Sequence, residues 1–215
     1  MYRYIVITGL MLGITLGCTG NQTGEKEMEP VKEEMSNSSN LDTATFGAGC
    51  FWCVEAIFQQ LNGVDKVLSG YSGGFVKNPG YKEVCSGSTG HAEVCQIYYD
   101  PSVISFDELL EVFWQTHDPT TLNRQGADVG TQYRSAVFYH NEEQRSKAEL
   151  YKAKLNESGA FPDPIVTEIS AFDTFYEAEG YHQDYYSQNG EQSYCRLVIR
   201  PKIEKFEKVF GDKIK

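Results

Sequence analysis

Hydrophobic residues in this chain fall into short runs with two different periods. "TATFGAG" (43–49) is an apolar stretch that breaks at Gly47 and Gly49 and predicts a strand. From Cys50 to Leu61, the residues Phe51, Val54, Phe58 and Leu61 recur three or four apart, with Gly63 just beyond, which predicts an amphipathic helix. "VDKVLSGYSGG" (64–74) reads as a strand entering a glycine turn, 78–91 as a loop, and "HAEVCQIYYD" (91–100) as an alternating strand stopped by Asp100-Pro101. Ser105 with Glu108 forms a capping box ahead of a helix to about Thr116. Residues 117–132 are a long polar loop of the kind that often carries function. Then come a strand at 133–140, a helix capped by Asn141 and Gln144 that runs to Gly159, and a strand at 164–170. Residues 174–189 read as helical, and a last helix covers 202–211. Strands and helices mix without strict βαβ alternation, so the expected fold is α+β, a two-layer α/β sandwich around a central mixed sheet.

The first forty residues follow neither period. Arg3 precedes an apolar run from Ile5 to Leu16, too short for a bilayer-spanning helix but suited to the core of a secretory signal. Its end, "TLGC", resembles the lipobox of bacterial lipoproteins, which implies cleavage before Cys18 and lipid on its thiol. An ordinary signal peptide cut nearby is the alternative. Residues 19–41 carry five Glu and two Lys with little apolar content, and cannot repay the entropy of ordering. They read as a tether with a reach of roughly 25–30 Å. The expected organisation is a signal peptide at 1–17, a tether at 18–41 and one domain at 42–215, lipid-anchored outside the cytoplasm. Membrane contact is expected only through that anchor.

The whole chain has 215 residues, 40% of them hydrophobic, which suits one domain of ordinary size with a real core. The formal net charge of −11 argues against nucleic acid, because no basic surface is available to displace phosphate counterions. Apart from Cys18, five cysteines remain, an odd number that leaves at least one thiol free in a monomer.

Cys50 stands where a strand delivers the chain to a helix N-terminus, whose unpaired amides and dipole favour a thiolate. A free thiol with pKa near 8.5 is only about 3% ionised at pH 7, and the dipole is worth at most ~1–2 kcal/mol. Position alone therefore makes an activated Cys50 plausible without establishing it. A buried structural cysteine is the plain alternative.

"GCFW" followed by Glu55, "TGHAE" (89–93), "GTQYRS" (130–135) and "YHQDY" (181–185) come in an order and spacing that resemble the A-type peptide-methionine (S)-S-oxide reductases, from about residue 43 to the end. The resemblance implies a thiol-dependent enzyme that reduces methionine S-sulfoxide, free or in oxidised proteins. Cys50 would attack the sulfoxide sulfur, Glu93 would supply the proton, Tyr81 and Tyr133 would donate hydrogen bonds to the oxygen, and Asp128 would support those groups. Phe51 and Trp52 would form the slot for the substrate methyl group, with His182 and Glu55 as partners nearby. Such chemistry needs a thiolate, an acid and oxygen-binding donors, because oxide leaves poorly unless protonated. A donating carboxyl at neutral pH must be desolvated, and Glu93 shares a strand face with Cys95, Ile97 and Tyr99.

The sulfenic acid left on Cys50 needs a second thiol, and thioredoxin or another dithiol as external reductant, with no bound cofactor and no metal. Cys195, in a polar tail able to swing inward, is preferred over Cys53, whose Cβ on a regular helix lies ~5–6 Å from that of Cys50 where a disulfide wants about 3.8 Å. Cys85 and Cys95 read as buried small residues. Two other readings stand beside this one: a thioredoxin-like thiol–disulfide oxidoreductase built on Cys50 and Cys53, and a binding module with zinc on Cys50, Cys53, His91 and Cys95.

Overall fold

The computed structural model describes residues 40–215. The expected signal peptide, the lipid-bearing Cys18 and nearly all of the tether lie outside the described residues. In chain order the elements are β1 (Asp42–Ala48), α1 (Phe51–Phe58), β2 (Val64–Ser72), α2 (Tyr81–Cys85), β3 (Ala92–Tyr99) and α3 (Phe106–Thr116). They continue with β4 (Arg124–Gln125), β5 (Asp128–Val129), β6 (Ser135–Tyr139), α4 (Glu142–Ser158), β7 (Glu168–Ala171), β8 (Phe175–Glu177), α5 (Tyr185–Asn189) and α6 (Arg200–Phe210).

Six strands form one sheet in the order β7-β6-β1-β3-β2-β8. All neighbours are antiparallel except β6 and β7, so the sheet is mixed, as the α+β reading expects. Helices α1, α3 and α4 pack on it, and α5 and α6 cover α1 in turn. The main core, including Phe46, Phe58, Ile97, Leu109, Phe113 and Phe206, fills the space between sheet and helices. A second small cluster of Ala92, Val94, Ala136 and Phe138 lies on the other face beneath Phe172 and Phe175. β3 is therefore buried on both sides, and a central strand covered on both faces loses the polar alternation that an edge strand shows.

Local signals set the expected helix ends. Ser105 Oγ accepts from the Glu108 N–H at 3.3 Å and Glu108 Oε2 accepts from the Ser105 N–H at 2.9 Å, closing the capping box. Asn141 Oδ1 accepts from the Gln144 N–H at 2.9 Å, and Gly159 ends α4 in the left-handed region.

Four expectations change. α1 is not amphipathic: every residue but Trp52 is buried, because the sheet covers one side and α5 and α6 the other. The stretch 78–91 contains α2, which starts on Gly80, whose N–H donates to Glu83 Oε2 at 2.8 Å. Residues 117–132 hold the small β4–β5 hairpin rather than continuous loop. Residues 174–189 do not form one helix. Phe175–Glu177 add to β2 as an edge strand, with the Phe175 ring in the space where a Cβ on Gly70 would stand. A short 3-10 turn (Gly180–His182) and α5 follow.

Candidate active site

β1 and α1 are joined by Gly49-Cys50. Gly49 takes φ +90°, and a Cβ there would come within 2.6 Å of Gln125 Cγ, so only glycine lets the turn close against the β4–β5 hairpin. The turn sets Cys50, 7% exposed, at the N-cap of α1.

The first helical amide does not point at the thiol. The Phe51 N–H donates to Glu93 Oε2 at 3.1 Å, across from β3. Glu93 is 1% exposed, and its other oxygen, Oε1, is buried with no protein partner. Burial pushes the Glu93 carboxyl up to about 8, against the opposing pull of the Phe51 amide, with the Asp128 charge adding to the rise. At neutral pH the group is mostly a neutral acid, and its Oε1 is free to carry a donatable proton.

At Cys50, burial opposes the pull toward a thiolate that its place at the helix N-terminus supplies. Burial holds its thiol well above the ordinary value, and the adjacent Cys53 thiol and Glu93 carboxyl reinforce this. The helix-end amide that would favour a thiolate is already committed to Glu93. Cys53, also buried, is lowered to about 7, chiefly by a hydrogen bond from Cys50. The two thiols lie within hydrogen-bonding reach of each other across the first turn of α1.

Tyr194 is the functional neighbour that sequence reasoning missed. Its hydroxyl donates to Asp128 Oδ2 at 2.8 Å and lies 4.0 Å from Cys53 Sγ. Asp128 thus supports the thiol side of the site through a tyrosine 66 residues away. The one available signal was the aromatic residue directly before Cys195. Tyr81, at the start of α2, and Tyr133, in the turn Thr131–Tyr133, lie within electrostatic reach of Glu93 and of each other. Desolvation raises both hydroxyls, so both are neutral donors.

Phe51 is buried against Tyr71, with ring centroids 5.9 Å apart, and against His182 at 5.0 Å. Trp52 stays partly exposed and stacks flat on Tyr185, 3.6 Å between centroids. Its Nε1–H donates to His182 Nδ1 at 3.1 Å, which leaves the His182 hydrogen on Nε2. That nitrogen lies 4.0 Å from Glu179, whose two oxygens also hold the Tyr81 N–H and the Tyr71 hydroxyl, each at 2.9 Å. Glu55, pushed up to about 7 by burial, accepts the Asp184 and Tyr185 amides at 3.0 and 3.3 Å and anchors α5 behind α1.

Two cysteine expectations change. Cys195 does not sit in a swinging tail: it opens the π-helical turn Cys195–Ile199 that runs straight into α6, and it is 0% exposed. It lies close enough to Cys53 for their charges to interact. Cys85 is exposed at the end of α2, beside the Tyr81 hydroxyl, rather than buried. Cys95 is buried, its thiol 3.5 Å from the Phe51 carbonyl. His91 is occupied elsewhere, bonding the Gly74 N–H and the Val76 carbonyl. Among the described residues, no three His, Cys, Asp or Glu side chains converge on a metal position.

A family model described as peptide methionine sulfoxide reductase matches residues 42–214, nearly all of the described residues. The chain belongs to the peptide methionine sulfoxide reductases. Peptide methionine sulfoxide reductase MsrA of Natronomonas pharaonis is 55% identical over 172 residues, 80% of this chain and 97% of the relative. MsrA 1 of Rhodopirellula baltica is 56% identical over 182 residues, 85% of this chain and 94% of its own. Among solved structures, methionine sulfoxide reductase A of Corynebacterium diphtheriae is 36% identical with a TM-score of 0.65, covering 73% of this chain and 78% of that one. Reduced Mxr1 of Saccharomyces cerevisiae is 34% identical with a TM-score of 0.66, covering 72% and 89%.

This reductase is accordingly a thiol-dependent oxidoreductase that converts methionine sulfoxide to methionine. The thioredoxin-like alternative built on Cys50 and Cys53 is set aside by the same match, because the family's extent takes in Tyr81, Glu93 and Tyr133 as well.

Proposed function

We propose that Cys50 attacks the sulfur of a methionine S-sulfoxide while Glu93 protonates the departing oxygen. Tyr81 and Tyr133 hold that oxygen by hydrogen bonds, and Phe51 with Trp52 takes the methyl group, where each buried carbon contributes about 0.8 kcal/mol. The proton of the Cys50 thiol passes to Cys53, which is already poised near neutrality and faces it. Attack forms a bond between Cys50 Sγ and the substrate sulfur; the oxygen, protonated by Glu93, then transfers to Cys50 Sγ as both that S–S bond and the S–O bond at the substrate sulfur break. The products are methionine and the sulfenic acid of Cys50. The observation that carries this reading is Glu93: a buried acid with one oxygen on the Phe51 amide beside the nucleophile and the other unpartnered.

Cys53 then captures the sulfenic acid, releasing water and forming the Cys50–Cys53 disulfide. Its position in the first turn of α1 favours it over Cys195, whose approach would require the π-helical turn to unwind. Cys195 receives the oxidation from Cys53 as a second step, and a thioredoxin-type dithiol reduces the pair. Every residue named belongs to one chain, consistent with a monomer. The apolar run before Cys18 supports a lipid-anchored enzyme outside the cytoplasm, acting on exported proteins with oxidised methionines.

The test is mass spectrometry of a racemic methionine-sulfoxide peptide incubated with dithiothreitol and the enzyme, next to Cys50→Ser and Glu93→Gln. Loss of oxygen from half of the peptide with the parent, none with Cys50→Ser and a strongly slowed loss with Glu93→Gln is expected. Equal turnover by Cys50→Ser would overturn the assignment.

A further inference from the structure

Glu179 takes no part in the chemistry assigned to Cys50, Glu93 and the two tyrosines. It follows β8 and stands half-buried beside the site, with 38% of its side chain exposed. Burial pushes its carboxyl up, but the Tyr81 amide, its own amide and the Tyr71 hydroxyl outweigh this and hold it below the ordinary value. At neutral pH it is a carboxylate, whose two oxygens only accept. Its own segment does not depend on them. The Ala178 N–H donates to the Ser69 carbonyl at 2.9 Å. The Gln183 side chain accepts the Ser69 N–H at 3.0 Å and donates to the Ser69 and Ala178 carbonyls at 2.9 Å each. The stretch between β8 and α5 is thus tied to β2 by bonds that bypass the Glu179 carboxylate.

We propose that Glu179 is a positioning residue for the reaction, keeping the tyrosine that holds the departing oxygen in register with the aromatic slot that takes the methyl group. This role rests on the reductase reading of Cys50 and adds what sets the dimensions of its site. Three contacts carry it. Glu179 Oε1 accepts the Tyr81 N–H, the first amide of α2, at 2.9 Å. α2 has five residues and buries only Val84, and so short a helix has no stability of its own. A carboxylate on its first amide therefore fixes where Tyr81 begins. Glu179 Oε2 accepts the hydroxyl of the fully buried Tyr71 at 2.9 Å, and the Tyr71 ring lies against Phe51, 5.9 Å between centroids.

The third contact reaches Trp52. His182 Nε2 is buried with no hydrogen-bond partner and lies 4.0 Å from Glu179 Oε2. A carboxylate at that nitrogen favours the tautomer with its hydrogen there, which leaves Nδ1 to accept the Trp52 Nε1–H at 3.1 Å. The His182 ring packs on Tyr81 at 4.4 Å and on Phe51 at 5.0 Å, a wedge between the oxygen holder and the slot. One carboxylate thus serves both halves of the site. A sulfoxide carries its oxygen and its methyl group at a fixed angle about sulfur, so both halves must meet it together. A misplacement of about 1 Å can cost about 10²-fold in rate.

The test is single-turnover reduction, without added reductant, of the S-sulfoxides of a methionine peptide and of the same peptide with ethionine. The S-ethyl group is one methylene larger, and a fitted pocket discriminates against a methylene by about 10–200-fold. Glu179→Ala should slow the methionine peptide by about 10–10²-fold and the ethionine peptide much less, so that the preference for methyl shrinks. Tyr71→Phe, which keeps the ring and removes one contact, should relax the preference while slowing the methionine peptide less than Glu179→Ala does. Glu179→Gln has one accepting oxygen in place of two and should fall between the parent and Glu179→Ala. It decides the matter by itself if the urea midpoint shows that Glu179→Ala does not fold. Equal slowing of both peptides, with the methyl preference unchanged, would assign Glu179 to the fold alone and overturn the proposal, as would rates equal to the parent's. The parent separates the two failures. If it reduces the methionine peptide while the variants keep its preference, only the positioning role is lost; if it reduces neither peptide, the reductase reading fails with it.

Discussion

The Tyr194 hydroxyl donates to Asp128 at 2.8 Å while standing 4.0 Å from Cys53 Sγ, joining the β4–β5 hairpin to the segment that leads into α6. One hydroxyl thus ties Asp128 to the neighbourhood of the Cys53 thiol. In Tyr194→Phe the Asp128 oxygen loses its donor and Cys53 loses its hydroxyl neighbour. The Tyr194 hydroxyl lowers Cys53, so its loss should move the midpoint of thiol alkylation against pH upward. Urea unfolding should report a loss of about 1–3 kcal/mol, the usual effect of removing a hydrogen bond to a charged group. An unchanged alkylation profile would mean that the tyrosine acts on Asp128 alone.

Glu93 makes both rate and stability depend on pH. Its folded value of about 8 lies above that of an unfolded glutamate, so the folded state binds the extra proton. The stability it confers is complete below about pH 4.3 and is lost as pH rises through about 8, a total on the order of a few kcal/mol. Glu93→Gln, neutral at every pH, should show a flatter stability profile than the parent. Over the same range, single-turnover reduction by the parent should fall as pH passes 8, with the proton donor gone. The variant should be about 10²–10⁴-fold slower at neutral pH and lack that descending limb.

The thiol order can be read after one turnover without reductant. Cys53→Ser should leave a sulfenic acid on Cys50 that dimedone traps, whereas Cys195→Ser should still form the Cys50–Cys53 disulfide, seen in digested peptides. A Cys50–Cys195 bond as the first product in the parent would show that the turn Cys195–Ile199 opens during catalysis.

Gly49→Ala puts a side chain at φ +90° and within 2.6 Å of Gln125 Cγ. The left-handed backbone costs roughly 1–3 kcal/mol, and the clash displaces the β4–β5 hairpin that carries Asp128. Both the urea midpoint and kcat should fall, whereas Gly126→Ala, in the same hairpin with open space around it, should lose only the backbone part.

What the sequence determined by itself is what closes within a turn or repeats along an element. The caps at Ser105 and Asn141 join residues three apart, so their helix starts were legible. The strand period put Glu93 on one face with Cys95 and Ile97, and that face proved to be the one turned to the main core, while the opposite face is covered by the second cluster. The ordered motifs around Cys50, Glu93 and Tyr133 carried the family and hence the chemistry. Only the tertiary structure decided where long-range partners and water exclusion enter. The Phe51 amide goes to a carboxyl 42 residues away, so the helix end stabilises Glu93 rather than a Cys50 thiolate. Residues 174–189 have a helical look, but the open edge of β2 and the gap at Gly70 take Phe175–Glu177 as a strand. Cys195 looks mobile among polar neighbours, yet burial in the turn before α6 fixes it. Period and capping are set by neighbours a few bonds apart, whereas desolvation and edge pairing depend on which surfaces remain uncovered once the whole chain has packed.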